Sequence, residues 1–102
     1  MEIVFNPVIL FNAVVNSLEL NEDWEKEKST LYSKLLYNNV YVYITLIYGE
    51  YIEIGYGHKS ANFVVFTTDD DDYNLEFTEQ DIYNIAFNTE KIAKKYSLMI
   101  GE

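Results

Sequence analysis

Apolar residues recur every three or four positions in the first part of the chain, which is the spacing of an amphipathic helix. Asn6 precedes Pro7, as an N-cap residue precedes a proline at the first helical position. The pattern therefore predicts a helix over 7–18. A short helical turn within 22–36 is a further expectation, because four apolar residues of this mostly polar segment share one helical face. They are Trp24, Leu31, Leu35 and Leu36.

A second helical pattern lies toward the other end of the chain. Thr78 and Asp81 have the spacing of a capping box, in which two residues bond each other's backbone N–H groups through their side chains. Apolar residues at helical spacing follow them. We therefore expect a helix over 79–97.

The segment 40–48 consists almost entirely of β-branched, aliphatic and aromatic residues, and this composition predicts a strand. A glycine and a glutamate at 49–50 form a two-residue connection of type II′ chemistry, after which 51–56 returns as a second strand. Such a turn pairs Tyr48 with Tyr51. One face of the hairpin then carries Tyr41, Tyr43, Thr45, Ile47, Ile52, Ile54 and Tyr56.

Two further strands follow in the predicted order. A loop over 57–61 leads to a third strand over 62–68, and a short fourth strand is expected over 73–77. A run of strands between two helices is typical of the α+β class. The sequence thus predicts one α+β domain over 1–102, a small antiparallel sheet of three to four strands flanked by an N-terminal and a C-terminal helix.

The charge of the chain narrows the choice of partner. Seventeen acidic residues stand against seven basic ones, all of them lysines, so the 102 residues carry a formal net charge of -10. Nucleic acids and anionic membranes require a basic footprint. We therefore expect no direct nucleic acid and no membrane among the partners. An acidic protein is instead steered toward basic protein surfaces.

The absence of cysteine excludes disulfides and thiolate metal sites. No lysine precedes Lys26, so a secretory leader is not expected. The longest apolar run, 40–48, is about half as long as a membrane-spanning helix. These features predict a cytoplasmic protein.

Seven acidic residues and no basic one lie within 69–81, a segment that we call the acidic run. One interpretation is a solvated loop and helix start that keep the protein in solution. Another is an anionic surface that imitates nucleic-acid phosphates and docks in the basic groove of a nucleic-acid-handling protein. The candidate partner-binding residues are Asp69, Asp70, Asp71, Asp72, Tyr73, Glu76, Glu79 and Asp81.

A cation site is a third interpretation of the acidic run. Asp70, Asp72, Asn74 and Asp81 fall at positions 1, 3, 5 and 12 of an EF-hand-like loop. However, Leu75 stands where that loop requires glycine, and an aspartate is shorter than the usual bidentate glutamate at the last position. We therefore expect no metal and no cofactor.

The tyrosines of the predicted sheet form a second candidate surface. Tyr41, Tyr43 and Tyr56 lie on one predicted face, where they serve either packing between strands or an interface. One helix cannot cover both faces of a sheet, so the other helix or a second chain must cover the second face. The same reasoning allows a homodimer through a sheet face or an open sheet edge.

Residues suited to catalysis are few. His58 is the only histidine, and Ser60 beside it gives no spacing typical of a catalytic triad. The segment 55–57 lacks the third glycine and the following helix of a dinucleotide site. We therefore expect that the chain is not an enzyme.

In length, acidity and lack of cysteine, the chain resembles phage-borne inhibitors such as anti-CRISPR proteins and uracil-DNA glycosylase inhibitors, although no motif carries the resemblance. The predicted function is that of a non-catalytic acidic inhibitor from a phage or mobile element. Such an inhibitor is a nucleic-acid mimic that blocks the nucleic-acid site of a bacterial protein. The alternative is a protein-interaction module, such as an immunity or homodimeric accessory protein, that uses the tyrosine-rich sheet.

Overall fold

The computed structural model describes residues 6–59, 61–69 and 77–100. Within these residues two helices flank a five-stranded antiparallel sheet, so the predicted α+β class is confirmed, with five strands instead of three to four. The elements are α1 (Pro7–Glu22), β1 (Glu25–Lys28), β2 (Leu31–Leu35), a 3₁₀ turn (Tyr37–Asn39), β3 (Val40–Ile47), β4 (Tyr51–His58), β5 (Ala61–Thr67) and α2 (Glu79–Ile100).

Helix α1 begins where the sequence predicts it. The side chain of Asn6 accepts hydrogen bonds of 3.1 Å from the backbone N–H groups of Val8 and Ile9, which satisfies two donors that a first helical turn leaves unpaired. The helix continues about one turn beyond its predicted end. It stops before Asp23, which adopts the left-handed conformation with φ of 59°.

The predicted helical turn within 22–36 is wrong, because this segment forms the hairpin of β1 and β2. In this hairpin Glu25 pairs with Ser33, and β2 pairs along its whole length with β3. Pairing with a buried neighbour outweighs the weak strand propensity of a charged segment. The apolar residues of this segment do not share a face, since Trp24 is buried in the core and Leu35 is exposed on the other side of the sheet.

The hairpin of β3 and β4 has a register one residue away from the predicted one. Tyr48 and Gly49 both have positive φ, 55° and 68°, as the central residues of a type I′ turn do. The Glu50 N–H donates to the Ile47 carbonyl at 2.9 Å, and Ile47 faces Tyr51. Because side chains alternate between the two faces of a strand, this single step reverses every side chain of β4.

The observed register gathers the aliphatic side chains of β3 and β4 on the face that both helices cover. Ile44 opposes Ile54 there. Tyr56 lies on the same face, against α2, so its predicted place beside Tyr41 and Tyr43 is wrong. The buried apolar core comprises Phe11, Val14, Val15, Leu18, Trp24, Val40, Val42, Ile44, Leu46, Ile52, Ile54, Ile82, Ala86 and Ala93.

The third predicted strand, over 62–68, is present as β5. The fourth, over 73–77, lies outside the described residues except for Phe77, which is not part of a strand. The Phe77 ring packs edge-on against Phe66 of β5, with ring centroids 5.2 Å apart. Helix α2 therefore starts close to the end of β5.

A buried carboxylate joins the β1–β2 hairpin to α2. Glu90 is 4% exposed, accepts a hydrogen bond from Trp24 Nε1 at 2.9 Å, and lies 3.3 Å from Lys34 Nζ and 3.1 Å from Lys94 Nζ. Burial alone raises the pKa of Glu90. The hydrogen bonds from Trp24 and Lys94 and the charge of Lys34 outweigh burial, so this pKa lies below its ordinary value. The carboxylate is therefore ionised at neutral pH.

Candidate functional site

The candidate binding residues of the acidic run are only partly described. Asp69 is exposed just beyond β5, and Glu79 and Asp81 are exposed in the first turn of α2. The remaining candidates, together with two residues of the EF-hand comparison, lie outside the described residues. They are Asp70, Asp71, Asp72, Tyr73 and Glu76, with Asn74 and Leu75.

Two of the described acids form bonds at the start of α2. Asp81 accepts a hydrogen bond from the Thr78 N–H at 3.0 Å, and the Thr78 hydroxyl accepts one from the Asp81 N–H at 3.1 Å. This is the predicted capping box, closed by an aspartate. Glu79 accepts a hydrogen bond from the Ser17 hydroxyl of α1 at 3.4 Å. These two carboxylates therefore have a structural role that is independent of any partner.

The sheet face opposite the helices has no covering element among the described residues, and we call it the open face. A groove of about 650 Å³ runs across it and receives side chains from all five strands. These side chains alternate along β3 with the buried ones that face the helices. The groove is lined by Glu25, Glu27, Leu31, Ser33, Leu35, Tyr41, Tyr43, Thr45, Glu53 and Asn62.

Two tyrosines of β3 lie across glycines of β4 in this groove. Tyr43 opposes Gly55, and Tyr41 opposes Gly57. A methyl group at Gly55 would lie 2.8 Å from the Tyr43 hydroxyl, and one at Gly57 would collide with the phenol of Tyr41. The glycines thus allow both rings to lie against the sheet, with centroids 6.2 Å apart.

Among the described residues, three glutamates and no lysine line the groove. Glu25 and Glu27 come from β1 and Glu53 comes from β4. Glu27 accepts a hydrogen bond from the Ser33 hydroxyl at 2.8 Å, and Glu53 accepts one from the Tyr43 phenol at 3.0 Å. Neighbouring side chains therefore hold two of the three carboxylates in place, and the groove is negatively charged.

The phenol of Tyr43 acts as a hydrogen-bond donor at physiological pH. Burial raises its pKa, and the hydrogen bond to Glu53 and the negative charge of that residue raise it further. A phenol that stays protonated cannot serve as a general base near neutral pH. Tyr41 is also a donor, to the side-chain oxygen of Asn62. The arrangement suits binding through hydrogen bonds and ring contacts.

The three glutamates of the groove are not among the residues that the sequence predicts as a site. Glutamate and lysine alternate over 25–28, and Glu25 and Glu27 both line the groove, although the pairing of β1 with β2 is irregular between Lys26 and Lys28. That signal is informative only once the segment is known to be a strand. Glu53 joins them because β2, β3 and β4 are paired.

The single histidine lies in an aromatic cluster on the helix side of the sheet. The ring of His58 is edge-on to Tyr96 of α2, with centroids 6.4 Å apart, and Tyr96 also packs against Tyr56 and Phe63. Over 6–59, 61–69 and 77–100, no three His, Cys, Asp or Glu side chains are placed to hold a metal ion. Neither helix in this part of the chain is long and apolar enough to cross a membrane.

Comparison of the chain with protein-family models, with curated protein sequences and with solved structures finds no match. The chemistry of the open face is therefore the basis on which a function is proposed.

Proposed function

We propose that this chain is a non-catalytic acidic binding protein, that its partner is a basic protein, and that the open face makes the contact. The observation that supports this proposal is a groove in which the part of the chain that the structure describes places three glutamates, two tyrosines and no lysine. Of the two tyrosines, the half-buried Tyr41 supplies contact area at a small cost in side-chain entropy, whereas Tyr43 is 7% exposed. Carboxylates complement a basic surface and increase the rate at which it is encountered.

The proposed partner is a protein that handles nucleic acid. Surfaces that bind DNA or RNA contact phosphates through lysine and arginine, and a chain with a net charge of -10 is attracted to them. An open face seated on such a surface excludes the nucleic acid. The chain would then act as an inhibitor of the phage or mobile-element type, and exposed acids of the acidic run such as Asp69 would add long-range attraction.

A second copy of the chain fits the open face less well than a basic protein does. Two open faces brought together place glutamates near glutamates, and like charges across an interface are unfavourable. The charge of the groove therefore favours a heterologous partner of opposite charge over a homodimer.

The test compares two variants that each lose three negative charges. Glutamine and asparagine preserve the shapes of glutamate and aspartate and their ability to accept a hydrogen bond, so each variant isolates the effect of charge at its own location. The control positions are exposed and do not line the groove. The groove variant is E25Q/E27Q/E53Q and the control variant is E19Q/D23N/E50Q.

Tagged wild-type protein and both variants are used to capture proteins from a bacterial lysate at low and at high salt. We expect the wild type and the control variant to capture a nucleic-acid-binding protein at low salt only, since salt screens charge attraction. Added DNA or RNA should release the captured protein. The groove variant should capture about tenfold less of it.

Equal capture by the groove variant would show that the open face is not the contact. A further variant with residues 69–72 changed to asparagine would then test the acidic run. Salt-resistant capture of a protein that does not bind nucleic acid would contradict the proposed partner and favour a module of the immunity or accessory type.

A further inference from the structure

We infer that the groove of the open face recognises arginine side chains of its partner in preference to lysine side chains. The inference rests on the proposed function and specifies the chemistry of the binding partner. It follows from three features of the groove: the distribution of its charges, the composition of the surface between them, and the hydrogen bonds that hold its carboxylates.

The negative charges are spread across the groove. Glu25 and Glu27 lie on β1 at one edge of the sheet, whereas Glu53 lies on β4, three strands away. Neighbouring strands are about 4.8 Å apart, so the two locations are separated by roughly 14 Å. Within the described residues no group of carboxylates is placed to bind a metal ion. This distribution fits several cationic side chains of one polypeptide segment.

The surface between the carboxylates favours a guanidinium group over an ammonium group. Leu31 and Tyr41, both half-buried, supply aliphatic and aromatic surface there, whereas Tyr43 is 7% exposed and leaves little of its ring for a partner. A guanidinium is planar and weakly hydrated, stacks on aromatic rings, and forms two parallel hydrogen bonds with a carboxylate. A lysine ammonium is a compact and strongly hydrated charge. It therefore loses more hydration when it enters a partly buried groove.

The carboxylates are held in place before any partner arrives. Ser33 donates to Glu27 and Tyr43 donates to Glu53. Side chains that are already ordered lose less entropy on binding. A fixed carboxylate benefits a bidentate ligand more than a ligand that makes a single contact, because both hydrogen bonds then form without further rearrangement. This ordering adds to the preference for arginine.

The chain itself cannot provide the proposed ligand. All seven of its basic residues are lysines. A groove that prefers arginine therefore selects a different protein over a second copy of this chain. Arginine is also a residue with which nucleic-acid-binding surfaces contact phosphates and bases, so the inference agrees with the proposed class of partner.

The experiment uses the full chain and two short fluorescent peptides of equal length and charge. One peptide alternates arginine with glycine and the other alternates lysine with glycine, and fluorescence anisotropy gives both dissociation constants at one salt concentration. General attraction to an acidic protein acts on both peptides, so the measured quantity is the ratio of the two constants. We expect the arginine peptide to bind the wild type about tenfold more tightly.

The two charge-matched variants locate the origin of that ratio. The control variant E19Q/D23N/E50Q should keep the ratio at about tenfold, and the groove variant E25Q/E27Q/E53Q should reduce the ratio to about twofold. Circular dichroism establishes that each variant is folded. If the triple groove variant unfolds, the single substitution Glu25→Gln, at an exposed position of the edge strand, provides the same test and should lower the ratio measurably.

A ratio near one in the wild type, or an unchanged ratio in a folded groove variant, would overturn the arginine inference. Either result leaves the proposed function standing if the wild type captures a nucleic-acid-binding protein and the groove variant captures about tenfold less of it. The opposite result is a wild type that shows an arginine preference dependent on the groove and yet captures no nucleic-acid-binding protein. That result contradicts the proposed function and leaves the arginine inference standing.

Discussion

Replacing Glu90 by glutamine tests whether a buried carboxylate stabilises this fold. The side chain accepts a hydrogen bond from Trp24 Nε1 at 2.9 Å and lies within 3.3 Å of the ammonium groups of Lys34 and Lys94. Glutamine has nearly the same shape and keeps an acceptor for the indole N–H. The substitution therefore removes the charge that both lysines face and changes little else.

The expected loss of stability follows from how far the two lysines are buried. Neutralising one partner of a fully buried ion pair costs about 3–5 kcal/mol. Here the Lys34 side chain is 24% exposed and the Lys94 side chain 52% exposed, so both retain part of their hydration. A hydrogen bond to a charged group contributes about 1.5–3 kcal/mol. We expect Glu90→Gln to lower the free energy of unfolding by about 2 kcal/mol, and the melting temperature by about 8–16 °C.

Urea unfolding followed by tryptophan fluorescence measures this change. Trp24 is the only tryptophan, is 1% exposed, and is bonded to Glu90 itself. Glu19→Gln, at an exposed position on α1, is the control and should unfold at the same urea concentration as the wild type. Equal stability of Glu90→Gln and wild type at neutral pH would refute the reasoning. It would mean that the cost of burying the carboxylate cancels its attraction to the lysines.

Three further outcomes are expected. Folding lowers the pKa of Glu90, so its stabilisation is fully present above the ordinary value of 4.5 and is lost as the pH falls through the lower folded value. The stability difference between wild type and Glu90→Gln, measured in urea, should therefore shrink in acid. Gly55→Ala should lower the free energy of unfolding by about 2–3 kcal/mol, because the added methyl group meets a backbone carbonyl of β5. Gly57→Ala should lower it by about 1–2 kcal/mol, because there the methyl group meets side chains that can move. Thermal melts that reverse this order would contradict the geometry. Asn38→Ala should cost about 1–2 kcal/mol, since Asn38 has φ of 58° and donates to the Ser97 carbonyl at 2.7 Å. In the same melts Asn38→Gly should lower the free energy of unfolding by less than Asn38→Ala does, because glycine adopts the left-handed conformation readily.

Signals that act over a few residues were sufficient to predict several elements. The N-cap at Asn6 and the capping box of Thr78 and Asp81 each involve bonds between residues two or three apart. The starts of α1 and α2 could therefore be predicted from short motifs. Strands β3, β4 and β5 followed in the same way from their β-branched and aromatic composition.

Contacts between distant residues decided the features that the sequence did not reveal. Trp24, next to β1, is anchored by Glu90, which lies 66 residues further along the chain. The face on which each β4 side chain lies depends on whether Tyr48 belongs to the strand or to the turn, a difference of one residue. The groove has the same origin, since Glu25 and Glu53 share a surface only through the pairing of successive strands.

The order of the elements also has a consequence during translation. The five strands are hydrogen-bonded in the order in which the ribosome makes them, so the sheet can grow by successive hairpins between neighbouring segments. Helix α2 is made after all of them and covers β3 and β4. In a nascent chain that pauses before residue 79, only α1 is present to cover the inner face of the sheet. That face carries Val42, Ile44 and Ile54. Such a chain exposes apolar surface of the kind that chaperones and proteases recognise.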